Sequence, residues 1–206
     1  MQIIGYGEDA LTLWALTNRM TEILAAVKDG SSPEACSVLF RPSFGRRGGP
    51  NSSQFGEFDF ILATPLGIHL GETKWQSSPE VAEPVIKLRE EQTERHKVFT
   101  VYYKVWVSKP EWSWDAFLET CAEQFRQKGI SKPTPPSDSL LSRNLKTSLE
   151  TLAKAANRSS NVDNLLLVVD SSGTLAGKVK TPPANFLLAV IDAHGEMENG
   201  SIPLEK

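Results

Sequence analysis

Apolar positions recur three and four apart from Gly7 to Lys28, where Leu13, Leu16, Met20, Ile23 and Val27 mark one helical face, and KDGSSP ends the run. The next apolar run, ACSVLF, has strand character and leads into RPSFGRRGGPNSS, whose Pro, Gly and Ser content excludes regular structure. Two strands follow, Gln54 to Thr64 and Leu66 to Trp75, with Pro65 and Gly67 marking a tight connection. A second helix is predicted from about Ser78, which can cap, with Pro79 in its first turn and Val85, Leu88 and Phe99 on compatible rows. Its end is open: VFTVYYKVWV is rich in β-branched and aromatic residues, and helix to about Tyr103 is preferred over a strand. EWSWDAFLETCAEQFRQKG and LLSRNLKTSLETLAKAANR read as further helices around the loop ISKPTPPSDS, the second with Leu141, Leu145, Leu149 and Leu152 on one side. The continuous apolar runs NLLLVV and FLLAVI read as strands at the centre of a sheet. The order is α, three strands, α, inserted helices, then strands, which is an α/β arrangement.

Composition changes this picture little. A chain of 206 residues supports one well-buried core, and a single domain over 1–206 is expected. With 40% hydrophobic residues, 23% charged residues and a net charge of −3, the whole-chain field does not draw in a polyanion, so any nucleic-acid contact falls to local basic patches. The N-terminal MQIIGYGEDALTLW lacks a basic segment followed by an apolar run and a cleavage site, and no apolar stretch reaches the roughly 20 residues of a bilayer span. The expectation is a soluble cytoplasmic protein without a membrane partner. Cys36 and Cys121 are too few for a disulfide framework and have no CxxC spacing, so they read as inert thiols.

One stretch breaks the apolar pattern. QFGEFDFILATPLGIHLGETKW carries Asp59, Glu72 and Lys74 inside strand text, where an unpaired carboxylate is costly and calls for a compensating partner. With Thr64 to Gly67 as the turn, Asp59 falls opposite Glu72. Asp59, Glu72 and Lys74 then share one face, while Phe58, Phe60, Thr73 and Trp75 share the other. Pro at the first turn position suits types that splay hairpins, so a register slip stays open. Facing like charges destabilise a sheet unless a cation sits between them. Two carboxylates with backbone or water oxygens suit a hard cation such as Mg²⁺, and a nearby Lys stabilises charge that develops on a phosphate. The implied chemistry is phosphodiester hydrolysis.

GEFDF followed after a turn by LGETKW, with a helix and a strand before and a helix after, resembles the PD-(D/E)XK nuclease superfamily. The resemblance covers roughly residues 5 to 100. It implies a restriction-endonuclease-like αβββαβ core, at about 5–100 and 162–193, with a central mixed sheet flanked by helices and a helical insertion at about 108–160. It also implies Asp59 as first metal ligand, Glu72 as second, the Thr73 carbonyl as an added metal contact and Lys74 as catalytic lysine, with Mg²⁺ as cofactor and Mn²⁺ able to substitute. Phe58 stands where the family's name puts Pro, and the acidic net charge departs from many basic DNA-cleaving members.

Members of this family often carry a Glu on the first helix, and Glu8 and Glu22 are the candidates. Fourteen residues apart, they lie on nearly one helical face but about 21 Å apart along the axis, so only one reaches the site. The strand ACSVLF has to run back along the helix, which puts the helix N-terminus at the active end and selects Glu8; the helix dipole accounts for an acid there equally well. On the second helix Val85, Gln92 and Phe99 share a row, where a buried amide needs partners, and the family resemblance implies that Gln92 holds a water or a substrate phosphate beside the metal as a catalytic candidate. Gln76, two positions after Lys74, is a second amide that can hold a phosphate, and an internal hydrogen bond is the rival role for either.

Arg41, Arg46 and Arg47 form an Arg and Gly loop before the Asp59 strand, suited to gripping a phosphate backbone. Arg95 to Lys97 form a second cluster. Arg143, Lys146, Lys154 and Arg158 on the late helix read as a solvated face. Tyr102, Tyr103, Trp106, Trp112 and Trp114 read as core of the inserted helices rather than as a base-stacking platform. Of the three His, His69 is expected to point away from the catalytic face. The expected function is a Mg²⁺-dependent DNA endonuclease in defence, restriction or repair, with a homodimer compatible. The alternatives are an RNA-directed nuclease, or a nucleic-acid-binding or assembly module that keeps the fold without cleaving.

Overall fold

The computed structural model describes residues 3–45, 51–109, 111–175, 180–197 and 201–204. In chain order its elements are β1 (Ile4–Tyr6), α1 (Gly7–Asn18), α2 (Met20–Ala26), a 3-10 turn (Pro33–Ala35), β2 (Ser37–Phe40), β3 (Ser43–Phe44), β4 (Gly56–Glu57), β5 (Phe60–Thr64), β6 (Gly67–Trp75), α3 (Pro79–Ala82), α4 (Glu90–Val107), α5 (Trp114–Gln127), α6 (Leu140–Ala155), β7 (Val162–Asp170), β8 (Phe186–Asp192) and β9 (Ser201–Pro203). Five strands make one mixed sheet in the order β2-β5-β6-β7-β8, antiparallel at β2/β5 and parallel at β7/β8. The chain is therefore a mixed α/β protein. It divides into two compact units: a terminal unit of Met1–Cys36, Gly71–Leu88 and Asp163–Lys206, and a helical unit of Ser37–Leu70 and Arg89–Val162.

In the terminal unit, β1 and β9 form a two-stranded antiparallel ribbon with Ile4 opposite Pro203. Gly7, at φ 75°, turns the chain from β1 straight into α1, a backbone conformation that favours glycine. The expected single helix from Gly7 to Lys28 is instead two, broken at Arg19 (φ −126°, ψ 23°). The side chains of Thr17 and Asn18 both donate to backbone carbonyls of the preceding turn, the competition that makes these residues weak helix formers. α2 packs against β8. Val81, Ile86, Leu166, Val168, Leu175 and Phe186 form a core cluster within this unit.

The expected second helix, from about Ser78 to Tyr103, is also interrupted. α3 stops at Ala82 because Glu83 precedes Pro84 and takes an extended backbone (φ −80°, ψ 154°), as residues before proline do. Val85 then bridges Thr181 in parallel fashion and is half exposed, so it shares no helical row with Gln92 and Phe99. α4 begins only at Glu90.

In the helical unit, VFTVYYKVWV is helix despite its β-branched and aromatic content. Val98, Phe99, Val101, Tyr102, Tyr103, Val105 and Trp106 are buried in a large core with Phe117, Cys121 and Phe125 of α5 and Leu145, Leu149 and Leu152 of α6. Tertiary burial overrides a weak local preference there. Ser113 and Ser139 cap α5 and α6, accepting the N–H of Ala116 at 3.2 Å and of Ser142 at 3.1 Å. Pro65 and Leu66 make the two-residue turn between β5 and β6. Gly67 follows where a Cβ would stand 2.8 Å from the Asn161 carbonyl oxygen, so only glycine fits.

Candidate active site

β6 is buried along Gly67 to Lys74, which is why its charged residues stand out. Glu72 is 1% exposed and Lys74 6%, and strand alternation puts the two side chains on one face, with Thr73 and Trp75 on the other. α1 brings a second carboxylate to Lys74: Glu8, at the second position of the helix, places Oε1 4.0 Å from Lys74 Nζ. The Glu8 side chain is 36% exposed and the Lys74 side chain 7%. The ammonium is thus almost withdrawn from solvent while its acidic neighbour keeps one side in water. Glu22, the other first-helix candidate, lies on α2 and pairs with Arg19 at 3.5 Å.

The exit of β6 is tied down by hydroxyls. Glu8 Oε2 accepts the Trp75 N–H at 3.3 Å, and Ser78 Oγ accepts the same N–H at 3.2 Å. Ser171 Oγ, just past β7, accepts from Trp75 Nε1 at 3.1 Å and from Gln76 Nε2 at 2.9 Å, while the Ser171 N–H donates to Gln76 Oε1 at 3.1 Å. Both ends of the Gln76 amide are therefore engaged in an internal clamp, the rival role to a phosphate contact. Ser78 was legible only as a helix cap, and Ser171 not at all, because a serine in a turn carries no periodicity; only the return of β7 beside β6 brings Ser171 to the clamp.

The helical unit holds the remaining candidates. Asp59 sits in a bend one residue before β5, not inside the strand expected from Gln54 to Thr64, and its carbonyl accepts the Arg41 N–H at 3.0 Å. Arg41 is not a free phosphate gripper: Nε and Nη2 donate to Glu57 Oε1 at 2.9 and 2.7 Å. Arg95 donates to the Glu57 carbonyl and lies over the Phe58 ring at 5.2 Å. Gln92 is buried, as a helical row demands, but its Oε1 accepts the Arg89 N–H at 3.0 Å and so closes the start of α4. Arg46 and Arg47 lie outside the described residues.

The aromatic residues after Lys97 are core. Tyr102 meets Phe125 edge-on at 5.0 Å, and Trp106 meets Phe117 at 5.2 Å. Neither Tyr102 nor Tyr103 finds a partner for its buried hydroxyl among the described residues. Burial pushes the Tyr102 phenol well above its ordinary range, the Tyr103 phenol up to about 12 and the Cys121 thiol upward as well.

Among the described residues no three His, Cys, Asp or Glu side chains gather as a metal-holding group. That does not suit a closed zinc cage, whose four ligands all come from protein. A buried carboxylate beside strand carbonyls is a hard-oxygen donor set, the kind Mg²⁺ uses when it takes one or two carboxylates and keeps its waters. No described helix is long and apolar enough to cross a membrane. No protein-family model, curated protein or solved structure matches this chain.

Proposed function

We propose that this chain is a Mg²⁺-dependent phosphodiester hydrolase with a restriction-endonuclease-like core, acting on DNA as an endonuclease. One observation carries the reading: a carboxylate and an ammonium two residues apart are buried on one face of β6, with a second carboxylate 4.0 Å from the ammonium. Groups that break the burial rule at such expense mark functional sites, because packing alone gives no reason to keep them.

The resident metal would polarise a phosphoryl oxygen and acidify a bound water. Glu72 and the Thr73 carbonyl are the oxygen donors that β6 offers it, and the motif adds Asp59. Lys74 opposes the negative charge that grows on the phosphate oxygens, and Glu8 keeps the ammonium from turning away.

Incubation with plasmid, linear duplex, single-stranded DNA and RNA, in Mg²⁺, Mn²⁺ or EDTA, tests this reading. Cleavage is expected only with metal, and Lys74→Ala and Asp59→Asn each lower it by at least about a hundredfold while melting stays cooperative. Mg²⁺ is also expected to raise the melting temperature progressively, with Glu72→Gln blunting the response and Glu22→Gln leaving it intact. Undiminished cleavage in Lys74→Ala removes the proposed site; binding without cleavage selects a nucleic-acid-binding module instead.

A further inference from the structure

The segment after β6 contains a hydroxyl that the nuclease reading does not use. Ser78 occupies the N-cap position of α3 (φ −65°, ψ 135°), yet its side chain takes none of the helix's own N–H groups. It accepts the Trp75 N–H at 3.2 Å and donates its single proton to Glu8 Oε2 at 3.4 Å. Glu8 Oε2 also shares the Trp75 N–H at 3.3 Å, a three-centre arrangement. One carboxylate oxygen is thereby held by two donors, and the other, Oε1, is left facing Lys74 Nζ at 4.0 Å.

A glutamate at the start of a helix, with its side chain 36% exposed, has many rotamers open to it. The contacts with Ser78 and Trp75 select one of them. We propose that Ser78 is a positioning residue: by holding Glu8 Oε2 at the exit of β6 it presents Oε1 to Lys74 and so fixes the direction of the ammonium. The activity arm of this inference rests on the nuclease reading; the coupling of Ser78 to Glu8 does not. Lys74 reaches a phosphate only if its ammonium points there, so loosening Glu8 lowers turnover and leaves substrate affinity alone. A serine that itself touched substrate would instead raise KM.

Ser78→Ala, Ser78→Thr, Glu8→Ala and the Glu8→Ala/Ser78→Ala pair test this in the full chain. Ser78→Ala is expected to lower kcat on the order of tenfold, less than the roughly hundredfold that a full 1 Å misplacement costs, with KM unchanged. Ser78→Thr, which keeps the hydroxyl, restores kcat to within about twofold, since a few tenths of a kcal/mol change a rate by no more than that. The paired variant falls no further than Glu8→Ala alone, because a residue that acts through another adds nothing once the other is gone. Independently of cleavage, amide hydrogen exchange at Trp75, followed by NMR, speeds up in Ser78→Ala and in Glu8→Ala and returns in Ser78→Thr. Multiplicative losses in the paired variant, a change confined to KM, or unaltered Trp75 exchange in Ser78→Ala each overturn the proposal. Coupled exchange in a protein that cleaves no substrate upholds the Ser78–Glu8 link and removes the nuclease reading instead.

Discussion

Phe99 in the helical unit is fully buried among other rings, with Phe44 5.2 Å away, Phe58 5.5 Å and Phe55 6.5 Å between centroids. Trp75 in the terminal unit is held instead by named hydrogen bonds, its N–H by Glu8 and Ser78 and its indole by Ser171. The first unit meets the cost of chain ordering with apolar contact and tolerates loose polar ends, as the Tyr102 and Tyr103 hydroxyls, without a partner among the described residues, show. The second keeps buried charge and ties the polar atoms at the exit of β6 with hydrogen bonds. Aromatic packing fixes volume but leaves directions soft, whereas hydrogen bonds fix directions, as they do around Trp75.

The sharpest challenge to this contrast is a truncation in each unit. Phe117→Ala opens a void among Tyr102, Trp106 and Trp114, and urea unfolding is expected to register a loss of about 3–5 kcal/mol. Ser171→Ala removes the acceptor of two donors and is expected to cost only about 1–2 kcal/mol, yet to loosen Gln76 and Trp75 in side-chain NMR spectra where Phe117→Ala does not. Equal costs, or loosening in the wrong unit, dissolve the contrast.

A smaller effect of opposite sign tests the claim about polar ends. Tyr102→Phe deletes a buried hydroxyl that has no partner among the described residues, so the chain is expected to gain about 1 kcal/mol in the same unfolding measurement. A loss of that size means the hydroxyl is satisfied after all.

The smallest effect vanishes at neutral pH. Burial raises the Tyr103 phenol to about 12, above the ordinary tyrosine value near 10. The stability tied to that shift is complete below pH of about 10 and is lost as the pH rises toward about 12, because the unfolded chain releases the proton first. In a Tyr6→Phe background, which leaves only Tyr102 and Tyr103, phenolate absorbance should therefore rise together with unfolding. Absorbance that rises ahead of unfolding contradicts the burial assigned to both rings.

Where periodicity and burial agreed, the fold was legible. Leu145, Leu149 and Leu152 line the buried side of α6, and the apolar runs NLLLVV and FLLAVI lie within β7 and β8, although only β7 is central: β8, expected at the centre of the sheet, is an edge strand with Val190 exposed. The two helix breaks were written in Asn18 and Pro84 but masked by apolar spacing that runs on past them. β1 and β9 are three residues each and pair across almost the whole chain, so neither has a pattern of its own. In the site, residue types on β6 were readable because charge inside apolar text is conspicuous. The partners of Arg41, Gln76 and Gln92 were not, since a long polar side chain is committed by whichever neighbour the fold supplies.

The β1–β9 ribbon has a consequence for how the chain reaches this state. On a chain growing from its N-terminus, every helix and strand of the helical unit is made before the partner of β1 exists. Closing so long a loop adds entropy cost only logarithmically, but contacts between distant residues form slowly. α1 follows β1 without a linker, through Gly7, so the helix that carries Glu8 gains its final anchor only when Ser201–Pro203 arrives. The seating of the carboxylate that faces Lys74 thus waits on the arrival of β9, and protection of the Gly5 amide, which the register aims at Ile202, in a refolding pulse is the clock that would time it.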